Sequence, residues 1–255
     1  MRAYFRFVIA LLFPLAALAG DCAAQDQDEL GVKLAAIDGL RQGTRTPLEL
    51  IEKECTILLN QYTKPEEQGR IYYQLAHSYA QSGMSRNDNG KKAIDYAEKA
   101  LHCPLEPALR LHLYVYWGDA IMLSDLARPR HLRRAEAAPV YLKGLKEAQQ
   151  FDIPAVAPER PPFSMPTATD EEGFRREKER RYQEAQRIEK VRMLHLGRSV
   201  LEEQLIFIYT RRPYAASEFR KLAREVLGDA PVVTTLTAAL EAKGALQDDP
   251  LPQAK

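Results

Sequence analysis

Five histidines, His77, His102, His112, His131 and His195, are the side chains best suited to move protons or bind a metal, and they stand singly along the chain. No pair has the spacing of a His-Glu-x2-His helix, and a lone histidine on a helix is normally a packed or surface residue. The adjacent carboxylates Asp28-Glu29 and Glu202-Glu203 point apart on a helix, because consecutive residues do not meet, so they read as solvated charges. Three cysteines, Cys22, Cys55 and Cys103, form neither Cys-x2-Cys nor Cys-x2-Cys-His, which removes zinc ribbons and covalently attached haem. A Cys55–Cys103 bridge would need alpha carbons within about 7 Å. With Cys55 inside a helix and Cys103 at a helix end, two buried, unpaired thiols are the expected state. There is no Gly-x4-Gly-Lys loop and no Gly-x-Ser-x-Gly elbow. These residue types predict no catalytic site, no metal and no cofactor, and hence a protein that is not an enzyme.

The elements that would position any site are helical. Between Arg70 and Leu101 the chain reads Arg-Ile-Tyr-Tyr-Gln-Leu-Ala-His-Ser-Tyr, a polar break containing glycine, then Ala93-Ile-Asp-Tyr-Ala-Glu-Lys-Ala-Leu101. Tyr72, Leu75, Ala76 and Tyr79 recur three and four apart, so they share one helix face that must be covered. The small residues Ala76, Ala93, Ala97 and Ala100 let two helices approach closely. Tyr114, Trp117, Gly118 and Ile121 repeat the first set of offsets, and Ala138, Leu142 and Leu145 repeat the second. Met193, Leu196, Gly197 and Val200, followed by Ala215, Phe219 and Leu222, make a weaker third copy. Upstream, Ile51, Cys55 and Leu58 have the spacing of a lone second helix.

Over roughly residues 44–228 these offsets resemble the tetratricopeptide family, whose repeat is a helical hairpin of about 34 residues. The fold class read from them is all-α, with antiparallel helix pairs stacked as a short tetratricopeptide-like array. A helical bundle of another kind is the alternative. Leu75 and Trp117 are 42 residues apart, and Trp117 and Leu196 are 79 apart, so the turns carry insertions. Thr46-Pro47-Leu48-Glu49 and Thr63-Lys64-Pro65-Glu66 carry helix-start chemistry, a capping hydroxyl and an early proline. Gly83 and Gly228 suit left-handed helix ends. Pro139 fits the first turn of a helix starting near Ala137 and would kink one starting at His131. The expected core comprises Tyr72, Leu75, Tyr79, Ala93, Ala97, Trp117, Ile121 and Leu142.

Outside the array the organisation changes. Arg2 and Arg6 precede an apolar run from Phe7 to Ala19, and Ala17-Leu18-Ala19 has the form of a cleavage site, so residues 1–19 read as a secretory signal. The run is too short to span a bilayer, and no stable membrane insertion is expected after cleavage. Asp21 before Cys22 argues against a lipid anchor, leaving a periplasmic or secreted protein. Without residues 1–19 the chain keeps 34 of its 36 basic residues against 35 acidic ones, a balance that gives no footprint for nucleic acid. Residues 20–43 are expected to be partly helical, and 44–152 to hold the array. Residues 153–170 carry five prolines between Ile153 and Pro166 and should form an extended linker or a strap laid over the array. Residues 171–228 should form a long charged helix and the last helix pair, with Glu172–Arg176 and Glu177–Arg181 at ion-pair spacing. From Tyr182 onward Ala185, Ile188, Leu196 and Val200 should restore an apolar docking face. Residues 229–255 should end in a capping helix from Pro231 to Ala242 and a frayed tail.

The resemblance also implies where a partner binds. In tetratricopeptide proteins the concave face is lined by first-helix residues one and five places after the bulky signature residue. Here those places are Tyr73 and His77, Val115 and Asp119, and Leu194 and Arg198. The set mixes aromatic, apolar and charged groups, which suits a peptide with an apolar anchor and polar ends, and it lacks the Lys and Asn clamp for a terminal carboxylate. The function implied is a protein- or peptide-interaction scaffold. The other reading is a helical ligand-binding domain or a diverged enzyme with a dispersed site.

Overall fold

The computed structural model describes residues 29–42, 48–82, 87–125, 127–159, 170–210, 214–228, 231–242, 244 and 246–247. The signal-like residues 1–19, Cys22, Thr46-Pro47, Gly83, linker residues 160–169 and the tail beyond 247 lie outside them. The described residues form an all-α fold. In chain order the helices are α1 (Glu29–Gln42), α2 (Leu48–Gln61), α3 (Pro65–Ser82), α4 (Asn87–Leu101), α5 (Pro107–Ser124), α6 (Arg130–Ala148), α7 (Glu171–Thr210), α8 (Ala216–Leu227) and α9 (Pro231–Ala242). Prolines open α3, α5 and α9, where a missing N–H leaves no helical bond unmade. Lys64, one residue later than the expected Thr63, supplies the carbonyl that receives Glu67 and Gln68 N–H at the start of α3. Asp170 caps α7, its carboxylate accepting the Gly173 N–H at 2.7 Å. Gly228 ends α8 at φ 74°, and its N–H donates to the Arg224 carbonyl.

From α1 to α7 each helix packs on the next, α8 packs on α6 and α9, and α1, α3, α5 and α7 also pack on one another in that order. Two apolar clusters result. One joins α1 to α5 through Leu30, Ile51, Cys55, Leu75, Tyr79, Ala93, Ala97, Leu113 and Tyr116. The other joins α5 to α9 through Leu111, Val115, Tyr141, Leu142, Leu201, Phe219 and Leu236. Helix α5 therefore faces both cores. Of the expected core residues, Leu75, Tyr79, Ala93, Ala97 and Leu142 are buried, while Tyr72, Trp117 and Ile121 are only partly so. Lys143 lies 5.9 Å over the Trp117 ring, covering its outer face by a cation–π contact.

Four details depart from expectation. Helix α6 starts at Arg130 and continues through Pro139; the residue four back, Ala135, is exposed, so the carbonyl deprived of its N–H partner can meet water. Helix α7 is about 60 Å long at 1.5 Å per residue, and its docking begins later than Tyr182. Tyr182 is 43% exposed and Ala185 is exposed, whereas Gly197 and Val200 are buried. Leu246–Gln247 pair in parallel with Tyr214–Ala215, as strands β2 and β1, so this part of the tail is tied down. Cys103 is half-buried, not buried; Cys55 and Cys103 are both free thiols.

Candidate functional site

The expected partner-binding residues fall into three groups, each set by what the neighbouring segment presents. At the joint of α1, α3 and α5, Tyr73, Gln74, His77 and Gln81 from α3 meet Asp38 and Arg41 from α1 and His112 and Tyr116 from α5. The Tyr73 and Tyr116 hydroxyls are 3.3 Å apart. His77 stacks on Tyr116 with ring centroids 4.5 Å apart and planes 5° from parallel. Arg41 donates to Asp38 at 2.7 Å and its Nη1 meets the His77 ring nitrogens. Gln74 Nε2 donates to Asp38 at 2.6 Å, and Gln81 Nε2 donates to His77 Nε2 at 2.8 Å.

Burial keeps the titratable rings of this joint neutral beside the Arg41–Asp38 ion pair. Burial drives the His77 imidazole well below its ordinary value, and the Arg41 charge acts in the same direction. Burial alone brings His112 down to about 4. Its Nε2 has no hydrogen-bond partner among the described residues. Tyr73 is pushed up to about 12 by burial, and Tyr116 rises for the same reason. A neutral histidine beside a guanidinium is an acceptor that orients its neighbours, and a poor proton carrier. With 4% of His77 exposed, this side chain joins α1, α3 and α5 and offers little area to a ligand.

The second pair separates. Val115 is buried in the α5–α9 core, while the partly exposed Asp119 accepts a hydrogen bond from the Tyr141 hydroxyl of α6 at 2.7 Å. Burial raises the Asp119 carboxyl to about 7, against the opposing pull of that bond. Tyr141 gains this reach because Gly118 has no side chain; a Cβ there would collide with the Tyr141 ring.

The third pair sits on α7. Leu194 packs against the α5–α9 core. Arg198 reaches the chain that follows α6, donating from Nη1 to the Ile153 carbonyl and from Nη2 to the Pro154 carbonyl, both at 3.3 Å. Arg192 donates to the Pro158 carbonyl at 2.7 Å, and His195 Nε2 to the Ala155 carbonyl at 3.2 Å. Residues 153–158 therefore lie against α7 as a strap.

The network residues that sequence reading missed are Asp38, Arg41, Gln74, Gln81, His112 and Tyr116. A signal existed for two of them: Asp38 and Arg41 are three apart, a same-face ion-pair spacing on a helix. Tyr116 lies one place beyond Val115, and no periodicity argument separates the two. Between the start of α5 and the end of α6, an open cleft of about 480 Å³ is lined by Leu105, Arg110, Tyr114, Lys143, Glu147 and Phe151 among others. Arg110 is committed there: it pairs with the Glu147 carboxylate and donates to the Leu101 carbonyl at the end of α4 at 3.0 Å. Among the described residues no group of three or more His, Cys, Asp and Glu side chains is placed to hold a metal. None of the described helices is long and apolar enough to cross a membrane. Comparison with known proteins finds no match: no family model fits the chain, and no curated protein or solved structure is detectably similar.

Proposed function

We propose that the protein is an exported, non-enzymatic scaffold of tetratricopeptide-like helix pairs that binds a protein or peptide along its first helices. The observation that supports this most is the packing of α1, α3, α5 and α7 on one another in chain order. Successive first helices then share one side of the molecule, as stacked repeat units do. Export is supported by the signal-like composition of residues 1–19.

The reading is tested by capture from the native envelope or culture fraction, using mature chains that carry a photo-crosslinking residue. Crosslinkers at Gln81 and Leu194 on first helices are compared with crosslinkers at the exposed Lys53 and Lys91 on α2 and α4. Crosslinks to one captured partner from Gln81 or Leu194 are the expected result. Crosslinks from Lys53 and Lys91 alone would place binding on the second helices and end this reading.

A further inference from the structure

The strap is held on the face of α7 through its main chain. All four contacts described between them end on carbonyl oxygens, of Ile153, Pro154, Ala155 and Pro158, and all four donors are cationic or imidazole side chains of Arg198, His195 and Arg192. The donors recur three apart along α7, at residues 192, 195 and 198, so they line one stripe of the helix. The strap's own side chains contribute little. Val156 is 79% exposed and Ala155 is exposed, whereas Phe151 and Ile153, at the near end, pack against the α5–α9 core. Prolines at 154 and 158 remove N–H groups and favour an extended backbone, which leaves carbonyls as the groups such a segment can offer. The Nε atoms of Arg192 and Arg198 face the carboxylates of Glu189 at 3.5 Å and Glu202 at 3.8 Å, so ion pairs within α7 hold the two guanidinium groups while their Nη atoms meet the strap.

We infer that the α7 stripe Arg192–His195–Arg198 is a binding groove for an extended, proline-interrupted peptide, and that the strap occupies it in cis. The inference rests on the interaction-scaffold reading and specifies one of its ligands. Recognition goes through the carbonyls, so side-chain identity at the middle of the ligand matters little. The first core residue of the ligand seats where Ile153 now packs. The strap is then a competitor whose local concentration any external segment must overcome.

The probe is a labelled peptide of residues 151–159, Phe-Asp-Ile-Pro-Ala-Val-Ala-Pro-Glu, measured by fluorescence anisotropy. It is offered to the intact mature chain and to two opened forms. In one, a Gly-Ser stretch of equal length replaces residues 153–158. In the other, a protease-recognition sequence inserted after Val156 is cut once the chain has folded, so that folding does not depend on the change. The expected result is saturable binding to an opened form and binding to the intact chain at least about tenfold weaker. Adding Arg192→Ala with Arg198→Ala to the opened form should weaken binding by about tenfold or more, since charge-assisted bonds are lost. Replacing Val156 of the peptide with Ala should leave affinity unchanged. Absence of saturable binding to both opened forms, equal binding to the intact chain, or full binding by the double arginine variant would each overturn the inference. An intact chain that elutes as a dimer with exchanged straps would also overturn it, in favour of a second copy as occupant. Crosslinks from Gln81 without peptide binding would sink this inference alone; peptide binding without first-helix crosslinks would sink the scaffold reading and leave the groove.

Discussion

His112 illustrates how one side chain sets a pH dependence. The unfolded chain takes up a proton at this histidine near pH 6.5, whereas burial holds the folded value at about 4. Stability is therefore full above about 6.5 and is lost as pH falls towards about 4, at up to about 1.4 kcal/mol per pH unit for each such group. His77, faced by Arg41, Tyr73 and Tyr116, adds a second share of the same sign. His112→Met should flatten the decline of the urea midpoint between pH 6.5 and 4.5 by about half, with the His77 share remaining. An unchanged slope would show that His112 is protonated in the fold. Asp119 works in the opposite sense. Its folded value is raised to about 7, so its contribution is complete below about pH 4 and is lost as pH rises to about 7. Because part of Asp119 stays exposed, Asp119→Asn should gain about 2 kcal/mol or less at pH 8, and about a third of that at pH 5. Thermal midpoints at the two pH values check this. Neither titration was readable from sequence: His77 and Asp119 were placed on one helix face each by spacing, but burial is decided by the helix that arrives opposite.

At the scale of elements, close approach decides which glycines tolerate a methyl group. A Cβ on Gly144 of α6 would stand 2.8 Å from Tyr114 Cβ and 2.9 Å from Leu201 Cδ1, where two helices converge. Gly144→Ala should cost about 1–3 kcal/mol through overpacking. Gly39 in α1 has nothing within 4 Å of its would-be Cβ. Gly39→Ala should stabilise by about 0.5–1 kcal/mol, because only the helix-propensity penalty is removed. Paired denaturation curves with opposite shifts are the expected outcome, and a destabilised Gly39→Ala would contradict the α1 packing. Helices were the readable elements here, since Tyr72, Leu75 and Tyr79 or Ala93 and Ala97 advertise their faces by period. Prolines at 65 and 231 marked helix starts, whereas Pro107, which opens α5, was not read as one. Pro139 left two starts open, and an exposed carbonyl resolved them. The extent of α7 docking was misread because Tyr182, Ala185 and Ile188 are apolar at helical spacing, yet nothing in a single sequence says where the supporting body ends.

For the whole molecule, the central fact is that α5 serves two cores. Leu113, Tyr116 and Ala120 belong to the α1–α5 cluster, and Leu111, Val115 and Met122 to the α5–α9 cluster. The all-α class followed from composition and period, but the division of α5 between two clusters did not. A helix apolar on every side gives no directional signal, and its neighbours alone assign the faces. Arg110 and Arg133 mark the two ends of this arrangement. Arg110 ties α4 to α6 across the start of α5, and Arg133 donates to the Met122 carbonyl near its finish. A shared helix has a consequence for the order of events during synthesis. The ribosome delivers α1 to α5 first, and these helices can close their own cluster while α6 and α7 are still unmade. Until those helices emerge, Leu111, Val115 and Met122 stand uncovered on a nascent chain. A pause or premature stop in the stretch between α5 and α7 would thus release a half-molecule that is folded on one side and adhesive on the other.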